Sequence, residues 1–131
     1  MVHAAYKAIP APKKRVLVVE DNLDAVHLLA VLVRSMDCEA DFAINGYAAM
    51  EVAKRFRPDV VLLDLALPDL SGWTVARHLR QSAECSAARI YAITGHYGLA
   101  ERGRSLAAGC DDHLLKPVDP RLLEKLLEVE S

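Results

Sequence analysis

Short, wholly apolar runs that stop abruptly on charged or hydroxyl residues constrain this chain most. Val60, Val61, Leu62 and Leu63 run straight into Asp64, and residues 15–20 (RVLVVE) run into Asp21. Such runs are too short for a helix and have no polar face, so they read as strands buried on both sides. A strand covered on both sides needs helices above and below its sheet, and the intervals supply them. Helical spacing appears over residues 22–36, 47–56, 73–81 and 96–108. A last helix opens at Pro120 with Leu122, Leu123, Leu126 and Leu127 as its stripe. Residues 38–43, 89–94 and 113–115 read as the remaining strands. The alternation implies parallel strands joined by right-handed crossovers, an α/β sheet wound on both faces. With 131 residues the chain has room for one domain. The expected division is a flexible tail over 1–13 and one folded domain over 14–131.

Charge and cysteine usage exclude several classes. Lys and Arg total 16 against 18 Asp and Glu, a net charge of −2, which argues against direct binding to nucleic acid. No stretch approaches the ~18–20 continuous apolar residues of a membrane span. The N-terminus lacks the apolar core of a signal peptide. Cys38, Cys85 and Cys110 form no Cys-x-x-Cys and no disulfide framework, and they read as small buried hydrophobes in a reducing, cytoplasmic setting.

In an open parallel sheet, ligands bind beyond the carboxyl ends of the strands. The expected strands end in Glu20 and Asp21, in Asp64, in Thr94 and in Lys116. Taken singly, each has an ordinary role: Asp21 or Asn22 as a helix cap, Thr94 as a cap, Lys116 as a solvated charge. Together at one edge they make a crevice of three carboxylates, a hydroxyl and an ammonium. Closely packed carboxylates repel one another, and a divalent cation relieves that. All-oxygen ligation suits Mg²⁺ or Mn²⁺. Mg²⁺ usually keeps part of its shell for phosphate oxygens, so the site reads as one for phosphoryl transfer. A carboxylate can itself accept the phosphoryl group, and Asp64, after the most apolar strand, is the candidate.

These residues carry a resemblance. VLVVEDN (16–22), VVLLDLALPDLSG (60–72), Thr94-Gly95, Ala108-Gly109 and LLKPVD (114–119) together resemble the receiver domain of two-component response regulators, the CheY-like phosphoacceptors. The resemblance covers residue 14 to about residue 129. It implies a flavodoxin-like (βα)5 sheet of strand order 2-1-3-4-5. It also implies roles. Asp64 is the phosphoacceptor, Asp21 a direct metal ligand, Glu20 an acid acting on the metal through water, and Ala66 a ligand through its carbonyl. Thr94 is the hydroxyl that swings toward the phosphoryl group, and Lys116 pairs with Asp64 and then with its phosphate. The Lys116–Pro117 peptide is expected to be cis. Where family members commonly carry Tyr or Phe, this chain has His113, either a rotating switch residue or a structural histidine. Ala66 and His96 occupy the positions that tune phosphoryl lifetime.

The implied function is a signalling domain rather than an enzyme. A histidine kinase or histidine phosphotransfer protein supplies the phosphoryl group, and the helix after Thr94, loosened by Gly98 and Gly103, responds. With no helix-turn-helix or enzyme module in the sequence, the output is expected to be a protein contact. The chain is then a stand-alone regulator, a phosphorelay intermediate or a receiver cut from a hybrid kinase, as a monomer or weak dimer. A haloacid-dehalogenase-type phosphatase would want an acid where Ala66 stands. A flavodoxin would want a Ser/Thr/Gly-rich loop where Glu20, Asp21, Asn22 and Leu23 stand. Relieving a crowded acidic site seldom needs one ammonium, so Lys116→Ala is expected to spare folding.

The first helix raises a separate question. At ~100° per residue, Leu23, Val26, Leu29, Ala30, Val33 and Met36 share an arc that should face the sheet. Ala25, Leu28 and Leu32 form a second arc. It serves either as packing against the last helix or as a docking patch for a helical phosphodonor domain, in which case Leu28 should be exposed.

Overall fold

The computed structural model describes residues 12–95 and 99–128. Most of the expected tail, together with His96 and Gly98, lies outside the described residues. The elements alternate throughout: β1 (Arg15–Val19), α1 (Leu23–Ser35), β2 (Glu39–Ala43), α2 (Gly46–Phe56), β3 (Val60–Asp64), α3 (Gly72–Gln81), β4 (Arg89–Thr94), α4 (Leu99–Ala108), β5 (Asp112–Leu115) and α5 (Pro120–Glu128). The five strands are parallel in the order β2-β1-β3-β4-β5, the expected doubly wound sheet.

The period of two along each strand divides the core. Leu17, Val19, Val61 and Leu63 point to one face, where Val52 and Phe56 of α2 and Val75 and Leu79 of α3 cover them. Val16, Val18, Val60 and Leu62 point to the other, beneath Val26, Leu29 and Val33 of α1 and Leu123 and Leu127 of α5. Burying each such side chain contributes ~1.5–3 kcal/mol. The three cysteines are buried and free. Burial foremost, then the Asp111 charge, raises the Cys110 thiol to about 11.

Helix ends follow from local chemistry. Asn22, Asn45 and Ser71 cap α1, α2 and α3 by accepting from Ala25, Ala48 and Thr74 amides. Asn22 rather than Asp21 is therefore the cap of the first helix. α4 ends at Gly109, whose φ of 103° suits glycine. There the Gly109 amide donates to the Leu106 carbonyl at 3.1 Å and the Cys110 amide to that of Ser105 at 2.8 Å, the paired bonds of a Schellman end.

One helix-face expectation fails. Leu23 is 57% exposed, although its angle places it on the sheet-facing arc. It is the first residue of α1, and β1 has already ended at Val19, so the first turn overhangs the sheet. Val26, Leu29, Ala30 and Val33 are buried as expected, and Met36 is half-buried against the same cluster.

Arg80, at the end of α3, fastens the opposite edge of the sheet. Its guanidinium donates to the Gly109 carbonyl at 2.6 Å, to the Ser86 and Ala88 carbonyls and to Asp111 at 2.8 Å. The same Asp111 oxygen accepts from the Ile90 amide at 2.8 Å. Arg80→Ala should lower unfolding stability by roughly 2–3 kcal/mol, because several carbonyls lose their donor at once. Arg80→Lys should recover little, since an ammonium lacks the planar fork. Denaturant midpoints of the two variants check this, and full recovery by lysine would refute it.

Candidate functional site

The parallel register brings the strand ends to one edge. Asp64 is the last residue of β3 and pairs with Ile93 of β4. Glu20 follows β1, and its amide donates to the Ala43 carbonyl of β2 at 3.1 Å. The Lys116 amide donates to the Thr94 carbonyl at 2.9 Å, tying the end of β5 to that of β4. Residues far apart in sequence thus meet because each terminates an apolar strand.

Asp64 and Glu20 are both only 2% exposed. Neither is left without partners. One Asp64 oxygen accepts from the Ala66 amide at 2.9 Å and the other from the Lys116 ammonium at 2.9 Å. Lys116 also lies 3.1 Å from a Glu20 oxygen, and the second Glu20 oxygen accepts from the Asn22 amide at 3.1 Å. Asp21 is exposed beside them, and Glu20, Asp21 and Asp64 each offer an oxygen within 4.8 Å of the others. Three carboxylates at this edge, two of them paired to one ammonium, leave an excess of negative charge with oxygen donors only. That donor set fits a hard divalent cation such as Mg²⁺.

Burial foremost, and then the Asp64 charge, raise the Glu20 carboxyl above its ordinary value, against the Asn22 amide and the Lys116 ammonium. Burial works to lower the Lys116 ammonium, but hydrogen bonds to Asp64 and Glu20 and their charges outweigh it, and the net direction is up. The ammonium is therefore charged across the neutral range.

The other expected residues divide. Thr94 is half-buried at the end of β4, and Ala66 is exposed two residues past Asp64. The Lys116–Pro117 peptide is cis, as expected. His113 is buried on β5 at 9% exposure. Burial foremost, helped by the Arg102 charge and opposed by Asp112, lowers its imidazole. Leu28 is 61% exposed, whereas Ala25 is half-buried and Leu32 packs against the α1/α5 cluster. The second arc of α1 is thus part packing and part open surface. It forms one wall of a groove of about 550 Å³, faced by Pro117 and Val118 and reaching Glu20 and Lys116.

Sequence reasoning did not single out Gly72 or Asp69. A Cβ on Gly72 would lie 2.6 Å from the Asp64 carbonyl oxygen, so only glycine lets α3 start this close to the end of β3. Asp69 reaches the amides of Gly46 and Tyr47, more than twenty residues earlier, and no local pattern could announce that.

The geometry revises the expectation for Lys116→Ala. The variant would leave two buried carboxylates facing each other. At pH 7 it should lose roughly 1–2 kcal/mol, less than a fully buried pair would, because the ammonium is 38% exposed. A raised amine stabilises fully below its ordinary 10.5 and ceases to as pH climbs through its folded value. A raised carboxyl costs stability once pH passes its ordinary 4.5. The variant's deficit should therefore be smallest at acidic pH and should shrink on adding Mg²⁺. Denaturant midpoints at acidic and neutral pH, with and without the ion, decide it; no deficit anywhere would restore the sequence expectation.

Comparison with known proteins gives a consistent picture. The family model described as response regulator receiver domain matches residues 16–128. The polar-differentiation response regulator DivK of Brucella anthropi is 31% identical over 114 residues, which cover 86% of this chain and 93% of DivK. The response regulator PleD of Caulobacter vibrioides is 34% identical over 109 residues, 83% of this chain but 24% of PleD. The chain thus spans nearly all of the first relative and about a quarter of the second. Among solved structures, the receiver domain of the sensor histidine kinase PA1611 from Pseudomonas aeruginosa is 30% identical. It superposes with a TM-score of 0.80, covering 88% of this chain and 94% of that one. That structure holds a magnesium ion in its active-site cleft.

Proposed function

The chain belongs to the response regulator receiver domain family, and from that membership and the site geometry we propose that Asp64 is its phosphoacceptor. The family is a signalling one, and the chain is a receiver of two-component signal transduction. The observation that carries the assignment is Asp64 itself, buried, with one oxygen held by the Ala66 amide and the other by the Lys116 ammonium.

A histidine kinase or histidine phosphotransfer protein supplies the group. An Asp64 oxygen attacks the phosphorus of the donor's phosphohistidine, the new P–O bond forms as the P–N bond breaks, and the imidazole leaves with the electron pair. Mg²⁺, with Mn²⁺ as the alternative, would be held by Asp21, Asp64 and the Ala66 carbonyl directly and by Glu20 through water, and would neutralise charge on the transferring oxygens. Lys116 moves from carboxylate to phosphate. Thr94 offers its hydroxyl to the new anion, which adds about −1.5 to −2 of charge. His113 answers from the next strand, and α4 and β5 pass the change to a downstream protein. The reading is of a phosphoacceptor rather than an enzyme, one that assists its own phosphorylation and dephosphorylation. It acts in the cytoplasm, as a monomer or weak dimer, without direct contact to nucleic acid or membrane. No helix among the described residues is long and apolar enough to cross a membrane.

Ala25 and Leu28 belong to the docking face for the donor. The open Leu28 side chain and the apolar groove beside Glu20 and Lys116 support this.

Incubation with Mg²⁺ and a small phosphodonor, read by intact mass, should give one labile phosphoryl adduct. Asp64→Asn should give none while remaining folded, and an undiminished adduct in that variant would remove Asp64 from the role. Leu28→Asp should slow transfer from the cognate protein donor at least several-fold and leave uptake from the small donor normal, because the chemistry at Asp64 is untouched. Equal loss with both donors would mean ordinary packing.

A further inference from the structure

The loop between β3 and α3 carries Ala66 and continues to Ser71. Its base is closed by backbone contacts: the Gly72 amide donates to the Leu65 carbonyl at 3.0 Å, and Ala66 bridges Ser71. Its tip is held in another way. The Asp69 carboxylate accepts from the Gly46 amide at 2.7 Å, the Tyr47 amide at 2.9 Å and the Leu70 amide at 2.9 Å. Gly46 and Tyr47 open α2, so two of the donors that lack a partner within their own helix are taken by a side chain from a different loop. Asn45 takes the next, accepting from Ala48 at 2.8 Å.

The fit is close. A Cβ on Gly46 would lie 2.9 Å from the Leu70 Cβ, so the loop tip rests on the start of α2 at near-backbone distance. The positive end of the helix favours an anion there. Desolvation works to raise the Asp69 carboxyl, and the amides of Tyr47, Gly46 and Leu70 outweigh it, keeping the carboxylate ionised.

We infer that Asp69 is a positioning residue for the phosphoacceptor site: by buckling the loop tip to α2 it sets where the Ala66 backbone stands relative to Asp64. This rests on the reading of Ala66 as a metal ligand. The Ala66–Ser71 bridge and the Ala66 amide on Asp64 hold Ala66 at the loop's base, but a loop fixed there alone could still pivot about those contacts and turn the Ala66 carbonyl. Mg²⁺ asks for near-octahedral ligands at ~2.0–2.1 Å, so small displacements of one ligand weaken binding. The competing role is simple capping of α2, and the two roles separate by experiment. Asn45 caps the same helix and makes no hydrogen bond to the loop, so Asn45→Ala weakens the helix end alone.

The full chain and the variants Asp69→Ala, Asp69→Asn and Asn45→Ala are titrated with MgCl₂ by calorimetry, with thermal unfolding in metal-free buffer alongside. Asp69→Ala should bind Mg²⁺ about 10-fold more weakly, as loss of a group that orients a ligand does. Asp69→Asn, whose amide oxygen still accepts, should fall between it and the parent. Asn45→Ala should melt lower yet keep the parent affinity. Parent affinity in a folded Asp69→Ala overturns the inference, as does an equal loss in Asn45→Ala. If Asp69→Ala does not fold, parent affinity in Asp69→Asn overturns it. Absence of saturable Mg²⁺ binding by the parent chain would overturn the metal reading itself, a separate and recognisable failure.

Discussion

The ammonium of Lys116 stands between two carboxylates that the sheet has taken out of water, 2.9 Å from one and 3.1 Å from the other. Taking each carboxylate out of water carries a desolvation cost, and placing the two side by side adds their mutual repulsion. One cation on a flexible stem offsets part of that cost while remaining 38% exposed, so it can leave. A guanidinium forked onto the two acids would hold the site closed. In the proposed reading, a point charge that can swing from carboxylate to phosphate keeps it ready for a second cation and an incoming anion.

Everything else at that edge keeps the charges in register. β1 and β3 run through the centre of the core: Val16 to Val19 and Val61 to Leu63 are each at 0% exposure. Asp64 therefore inherits the rigidity of a close-packed core. The connecting loops are fixed by backbone bonds between strand ends, with the Leu65 amide donating to the Ile93 carbonyl at 3.1 Å and the Lys116 amide to that of Thr94 at 2.9 Å. A residue change in a loop can thus alter chemistry without disturbing the scaffold, whereas a change in β3 disturbs both.

Much of this was legible from sequence because its causes are local. Apolar runs ending on Asp64 or Glu20 announce buried strands and their charged ends, and helical spacing announces the cover. What escaped has causes that are distant. Leu23 lies on the right arc and is exposed, because helical periodicity says nothing about where the sheet beneath stops. Nothing in LPDLSG singles out Asp69, whose partners Gly46 and Tyr47 belong to α2. Nothing in its own stretch of sequence singles out Arg80, which gathers two loops. In each case a long-range contact decides the role, and a single sequence displays only near neighbours.

The same distinction bears on α4. Its described buried side chains are small, Ser105 and Ala108, while Leu106 is 57% exposed. The helix is held to α3 by a polar contact instead: the Trp73 indole N–H donates to the Ser105 hydroxyl at 2.8 Å, and the Arg104 guanidinium lies 3.8 Å above the indole ring. Shifting a helix seated by large apolar side chains exposes their area to water, at ~25 cal/mol per Å². Shifting one seated by a hydrogen bond and a stacked cation exchanges those contacts for water at a net cost of ~1 kcal/mol each. α5, with Leu123 and Leu127 buried, is seated in the first manner, and the described side chains of α4, residues 101–108, are seated in the second. An element seated in the second manner is the cheaper one to displace, and in the reading proposed above it lies directly downstream of Thr94.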